Sequence, residues 1–221
     1  MSKHLERQIE TLKQKLLYVG TLVEEAVSRA VAALVDRDPD LARRVIAADA
    51  EIDRMEVEVE EECLKCLALH QPVAADLRFV VAVLKMNNDL ERIGDMAKNI
   101  AKRVVFLCKS EPLELPGNFR GMAAAAQSMF KRSLDALVNS DTALARQVRE
   151  DDDEVDTMRK QIQLQVEREI MAQPQRVAEL MSLNNVAKQL ERLADMATNI
   201  AEDVIYMLEG DIVRHNAHEV P

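Results

Sequence analysis

Apolar residues along this chain recur at intervals of three and four. Leu12, Leu16, Val19, Val23, Ala26 and Ala30 make one such stripe, and Val186, Leu190, Leu193, Ala197, Ile200 and Val204 make another. That spacing keeps side chains on one face of a helix, the face that packs into a core. The stripes break where helices should end. Asp38-Pro39-Asp40 reads as an N-cap followed by proline at the first helical position, and Ser140-Asp141-Thr142 offers a similar start without the proline. At Gln71-Pro72 and Gln173-Pro174 the proline lacks the N–H that continues a helix and restricts the residue before it. Each pair therefore closes one helix and opens the next. The segment 111–120 (EPLELPGNFR) holds two prolines and a glycine and reads as a linker. The pattern predicts six helices, near 4–36, 39–70, 73–109, 119–138, 141–172 and 175–209. A 30-residue helix is about 45 Å long, and short connections force successive helices to run antiparallel, so the expectation is slender bundles.

Composition sharpens this to an all-α reading. Of 221 residues only 3% are aromatic, none is Trp, and there are five glycines and six prolines, too little turn punctuation for a β-rich chain. The 48% hydrophobic content is enough for a packed core. The balance of 39 acids against 29 Lys and Arg, net −10, repels a phosphate backbone and argues against nucleic acid as a partner. The mainly apolar stretches, such as Phe79 to Leu84, fall far short of the ~20 residues a spanning helix needs. The opening MSKHLERQIE has no apolar leader and three cysteines make no disulfide framework, so the expected compartment is the cytoplasm.

The chain repeats itself. Leu90-Glu91-Arg92-Ile93-Gly94-Asp95-Met96-Ala97-Lys98-Asn99-Ile100-Ala101 returns 100 residues later as Leu190-Glu191-Arg192-Leu193-Ala194-Asp195-Met196-Ala197-Thr198-Asn199-Ile200-Ala201, with nine of twelve positions identical. Upstream, Ala33-Leu34-Val35, Asp38, Leu41-Ala42-Arg43 and Val45 return at an offset of 103. A period near 100 is too long for a solenoid and is the size of a small domain. The expectation is two tandem three-helix bundles related by duplication, over 1–110 and 119–210, with a tail at 211–221.

Chemistry concentrates in the repeated motif. Glu91, Asp95 and Asn99 follow one another four residues apart, as do Glu191, Asp195, Asn199 and Asp203. Residues four apart stack on one ridge of a helix, so each row presents oxygen ligands to one side. The preceding helix of each repeat carries a partner row: Asp49, Asp53, Glu56 and Glu60 in the first, Asp152 and Asp156 in the second. Hard and borderline cations favour oxygen donors, and two facing rows can hold a multinuclear, carboxylate-bridged metal cluster. The other reading is a solvated salt-bridge net around Glu91, Arg92 and Asp95. Surface positions beside the motif change between copies, as at Lys98/Thr198 and Lys102/Glu202.

Other candidate chemistry is weaker. Cys63-x-x-Cys66 has no second pair to complete a zinc site and reads as helix packing. His215 and His218 sit in the tail, and the eleven methionines read as core filler. A di-iron bundle needs Glu-x-x-His on two helices, and no histidine here has Glu three residues before it. No nucleophile triad or Gly-rich phosphate loop occurs, so no enzyme is expected. An acidic chain without such a loop is also not expected to sense phosphate directly.

Two copies of Glu-Arg-(Ile/Leu)-(Gly/Ala)-Asp-x-Ala-x-Asn-Ile-Ala in an acidic six-helix chain resemble the PhoU family of bacterial phosphate-uptake regulators, and the likeness runs through the whole chain. The resemblance implies two three-helix bundles with internal two-fold symmetry. It implies a cytoplasmic, non-enzymatic negative regulator of phosphate uptake and of the phosphate-starvation response. Such a protein would link the ATPase subunit of the phosphate-specific ABC transporter to a sensor histidine kinase, meeting the membrane only through partners. It further implies a homodimer and iron or zinc clusters on Glu91/Asp95 and Glu191/Asp195. Arg103 stands where the second repeat has Asp203, and Arg159 where the first has Glu56, so the two sites should differ. A carboxylate-bridged metallohydrolase and a purely structural helical scaffold are the alternatives.

Overall fold

The computed structural model describes residues 3–211 and 213, which leaves His215 and His218 outside the described residues. The helices are α1 (Lys3–Asp36), α2 (Pro39–His70), α3 (Ala74–Leu107), α4 (Phe119–Asn139), α5 (Thr142–Glu150), α6 (Asp152–Ala172) and α7 (Val177–Glu209), with a 3-10 turn at Pro174–Arg176 before α7. No strand occurs among the described residues, and none of the helices is long and apolar enough to cross a membrane.

The corners form as the sequence predicts. Asp38 caps α2, its carboxylate accepting from the N–H groups of Asp40 and Leu41, both at 2.9 Å, with Pro39 in the first turn. Asp141 does the same for α5 through the N–H of Leu144. The residue before each cap, Arg37 and Ser140, takes the left-handed conformation that ends the preceding helix, so the duplication extends to backbone geometry.

One predicted helix is interrupted. The stretch 141–172 divides into α5 and α6 at Asp151, which lies inside a run of three aspartates. Aspartate is a poor helix former, and like charges in sequence add to the difficulty. The Asp151 carboxylate instead turns to Arg132 of α4, with which it forms an ion pair. Its N–H still bonds to Gln147 O at 3.2 Å, so the axis bends without the chain leaving the bundle.

Helices α1, α2 and α3 pack together as one three-helix bundle, and α4, the bent α5–α6 and α7 as the other. The bundles meet along α3 and α7, with α1 against α4 beside them. Lys85 of α3 reaches Asp203 of α7, while Arg103 of α3 shares a groove with Asn185 of α7, so the two helices run antiparallel. The core is apolar, with Leu12, Leu16, Met86, Leu90 and Ile93 in the first bundle and Phe119, Phe130 and Ile162 in the second. Cys63 and Cys66 are both fully buried, and burial pushes the Cys63 thiol up to about 12, which makes it packing rather than a reactive thiol.

The start of the linker is held by an arginine from each bundle. The Arg37 guanidinium donates to Leu107 O at 3.0 Å and Ser110 O at 2.8 Å, and Arg176 donates to Glu111 O at 2.7 Å.

Where α3 crosses α2, Gly94 faces Ile52. A Cβ at Gly94 would lie 3.2 Å from Ile52 Cγ2 and 3.3 Å from Cδ1. The second repeat carries Ala194 and Val155 at these positions, one methyl more on one helix and one fewer on the other. In urea unfolding, Gly94→Ala and Ile52→Val together should be about 1 kcal/mol more stable than the sum of the single variants, because each relieves the packing error of the other. Strict additivity would show that the two side chains do not compete for space.

Candidate functional site

The acidic rows face each other across α2 and α3 in the first repeat and across α6 and α7 in the second, and the electrostatics register it. In the first, burial raises Glu91 above the usual carboxylate range, with Asp95, Asp53, Glu56 and Asp49 adding to the rise. Burial likewise raises Asp53, helped by Asp49 and Asp95, and Glu56, helped by Glu60 and Asp53. These are like charges that the fold holds together against repulsion.

The first cluster contains its own cation. The Lys98 ammonium forms an ion pair with Asp49, which is only 4% exposed, and lies 3.4 Å from Asp95. The carboxylate partners raise Lys98 above its ordinary value, with the Asp49 hydrogen bond the largest cause.

The second repeat has Thr198 at that position, and its acids are less neutralised. Burial pushes Asp152 up to about 6, with Asp195 and Asp156 adding to the rise. The Thr198 hydroxyl opposes part of that shift through a long contact rather than a close hydrogen bond, which leaves the buried Asp152 Oδ1 without a near donor. Asp195 is raised in turn by burial, Asp156 and Glu191. Arg192 of α7 offsets part of the rise at Asp195, and from α6 Arg159 Nε lies 3.4 Å from Glu191. Arg159 is 7% exposed, and its Nε and Nη1 lack a hydrogen bond.

Two expected ligands, Asn99 and Asp203, turn toward the α3–α7 seam, and a third, Asn199, bonds within its own helix. Asn99, two turns beyond Glu91, lines a groove between α3 and α7 with Lys102, Arg103, Asn185 and Gln189. Asn199 bonds through Nδ2 to Met196 Sδ on its own helix. Asp203 is buried in the α3–α7 seam, 3.5 Å from Lys85, whose ammonium also lies 5.1 Å from the centre of the Tyr206 ring. The reason is geometric. At 3.6 residues per turn, eight residues advance about 80° around the helix, so a row drawn in fours winds off one face onto the next.

Among the described residues no three His, Cys, Asp or Glu side chains converge closely enough to hold a metal ion as they stand. The donor chemistry still fits a cation in the second repeat, where a buried carboxylate oxygen is unpartnered beside Asp195 and Asp156. In the first repeat Lys98 already does part of a cation's work.

The PhoU domain profile matches this sequence twice, over residues 16–104 and 119–204, one match on each bundle. The chain belongs to the PhoU family. Among family members, the phosphate-specific transport system accessory protein PhoU homolog of Aquifex aeolicus is 37% identical over 211 residues, covering 96% of both chains. The homolog of Pseudomonas aeruginosa is 37% identical over 218 residues, 97% of this chain and 89% of that one. The crystal structure of PhoU from Pseudomonas aeruginosa superposes with a TM-score of 0.89 at 36% identity, covering 93% of this chain and 99% of that one. The phosphate transport system regulatory protein PhoU from Streptococcus pneumoniae superposes with a TM-score of 0.84 at 28% identity, covering 95% and 99%. The all-helical double bundle read from the repeat is thus the PhoU fold.

Sequence reasoning noted Lys98 and Arg159 only as differences between the repeats and missed the carboxylates they pair with. Lys98 and Arg159 decide how much negative charge each cluster keeps. The available signal was the pair of repeat differences, Lys98/Thr198 and Glu56/Arg159, which places a cation on opposite walls of the two sites.

Proposed function

We propose that this chain is an accessory regulator of the phosphate-specific transport system. In this reading it is a non-enzymatic cytoplasmic adaptor that restrains phosphate uptake and keeps the phosphate-starvation response off by contacting the transporter's ATPase subunit and a sensor histidine kinase. The observation that carries it is the likeness along nearly the whole chain, repeat for repeat, to proteins named as accessory to that transport system. Surface supports a docking role. The two Gln-Pro corners leave Leu69, Val73 and Leu77 exposed at one and Met171, Val177 and Met181 at the other, and clustered exposed apolar side chains mark protein contacts. A homodimer is part of the same reading.

The acidic clusters are proposed as metal sites. Asp152, Asp156, Glu191 and Asp195 would hold a cation in the second repeat. Asp49, Asp53, Glu91 and Asp95 would do so in the first, once Lys98 swings away. All-oxygen donors suit hard or borderline ions such as iron, with zinc less favoured. Bound metal would neutralise acids that now repel one another and set the spacing of α2 from α3 and of α6 from α7.

Elemental mass spectrometry on untagged protein tests the metal assignment. Stoichiometric metal is expected in the parent and none in the Glu91/Asp95/Glu191/Asp195→Ala variant; no metal in either, even after reconstitution, would reduce the rows to solvated faces. For the adaptor assignment the test is recovery from detergent-solubilised membranes. The parent should bring down transporter and kinase, and capture of neither would sink that reading.

A further inference from the structure

The groove between α3 and α7 carries a charge pattern that the acidic clusters do not explain. It has a volume of about 450 Å³ and is lined by Asn99, Lys102 and Arg103 from α3 and by Asn185 and Gln189 from α7. No acidic side chain lines it, and neither Lys102 nor Arg103 has an ion-pair partner among the described residues. Gln189 Oε1 is buried there without a hydrogen-bond partner, so the amide is not anchored by the protein.

The duplication supplies an internal comparison. The offset of 100 carries Arg103 to Asp203, Lys102 to Glu202, Asn185 to Lys85 and Gln189 to Asp89. At that sister position the charges are matched within the chain: Asp203 with Lys85 at 3.5 Å, Glu202 with Arg149 at 3.2 Å and Asp89 with Arg92 at 3.9 Å. A carboxylate sits between the helices in one half, where the other half has two cations, three amides and open space.

We infer that this groove binds a small multivalent oxyanion of the phosphate and sulfate class, held by the Arg103 guanidinium and the Lys102 ammonium with amide N–H groups completing the cage. A planar guanidinium matches two oxygens of a tetrahedral anion, and charge-assisted bonds of this kind are the strong ones. The net charge of −10 describes the whole chain; the charged side chains that line this groove are both cationic. The inference goes beyond the adaptor reading and does not depend on it. Loss of anion binding and loss of partner capture are separate observations.

The test is titration of the full chain with inorganic phosphate at constant ionic strength, followed by calorimetry, with sulfate as competitor. One saturable site per chain is expected, with affinity falling at least tenfold in Lys102→Ala/Arg103→Ala and in Arg103→Asp, which places the sister half's carboxylate in the groove. Both positions are exposed on α3, and circular dichroism will show whether the variants keep their fold. No saturable binding up to about 10 mM, well above the range of a useful anion site, would overturn the inference. So would binding that survives both variants but disappears after chelation, since that anion would sit on metal at the acidic clusters.

Discussion

Replacing Lys98 with threonine, the residue its repeat partner carries, is expected to destabilise the metal-free protein by about 2–3 kcal/mol and to make that loss reversible by a divalent cation. Asp49 is buried, and the Lys98 ammonium is the cation paired with it. Removing one partner of a buried pair typically costs about 3–5 kcal/mol, because the other charge is left stranded. The lower figure applies here because the Lys98 side chain is 26% exposed and already shares its charge with water. Asp95, Asp53 and Glu91 surround the same point, so the stranded charge also meets repulsion. A cation at about a hundred times its Kd returns about 2.7 kcal/mol, close to the amount lost. Urea unfolding of chelated protein, with and without added manganese, measures both quantities. The reciprocal change, Thr198→Lys, should stabilise metal-free protein and weaken metal binding in the second repeat. A Lys98→Thr variant as stable as the parent, or one that metal does not rescue, would show that the first cluster is not a cation site.

The second large effect concerns Asp152→Asn and reverses sign with metal. Asp152 is raised to about 6 by burial and by Asp195 and Asp156, against an ordinary value of 3.8. A carboxyl raised in the folded state takes up its proton more readily there than in the unfolded chain. Its stabilising share is therefore complete below pH ~4 and is lost as pH rises through ~6. Asparagine carries no charge at any pH. The variant should therefore exceed metal-free parent by about 1–2 kcal/mol at pH 7.5, with the advantage shrinking below pH 6 and gone near pH 4. If Asp152 ligates metal as proposed, the order inverts in the presence of metal, and parental metal affinity falls as pH drops through 6. A stability difference that stays flat from pH 4 to 8 would show that Asp152 ionises as an ordinary surface acid.

How far the sequence reached depends on which forces act locally. Helix ends were legible because caps and prolines act over three or four residues, as Asp38 and Asp141 show. The duplication was legible as direct repetition. The bend at Asp151 was not, because Arg132, nineteen residues away, draws that carboxylate out of line. The acidic clusters were half legible. Spacing in fours found Glu91, Asp95, Glu191 and Asp195, which do face the preceding helix, and it carried Asn99 and Asp203 along although the ridge had already turned toward the seam. Lys98 read as a surface substitution because nothing in one helix says that Asp49 of another is buried beneath it. Partner identity across helices is tertiary information, and the repeat could signal only that something there differed.

The seam between the bundles has a mechanical meaning. Helices α3 and α7 have 34 and 33 residues, so each is a rod about 50 Å long. Glu91 and Asp95 lie near the middle of one, and Glu191 and Asp195 near the middle of the other. A rod gripped at its centre has two arms of about 25 Å, and a tilt of about five degrees at the grip sweeps each tip through about 2 Å. The N-terminal tips are the two Gln-Pro corners with their exposed apolar side chains. A change of charge that tilted either rod at its centre would therefore be felt at the ends, and because the rods lie antiparallel against each other, the other would have to give way with it.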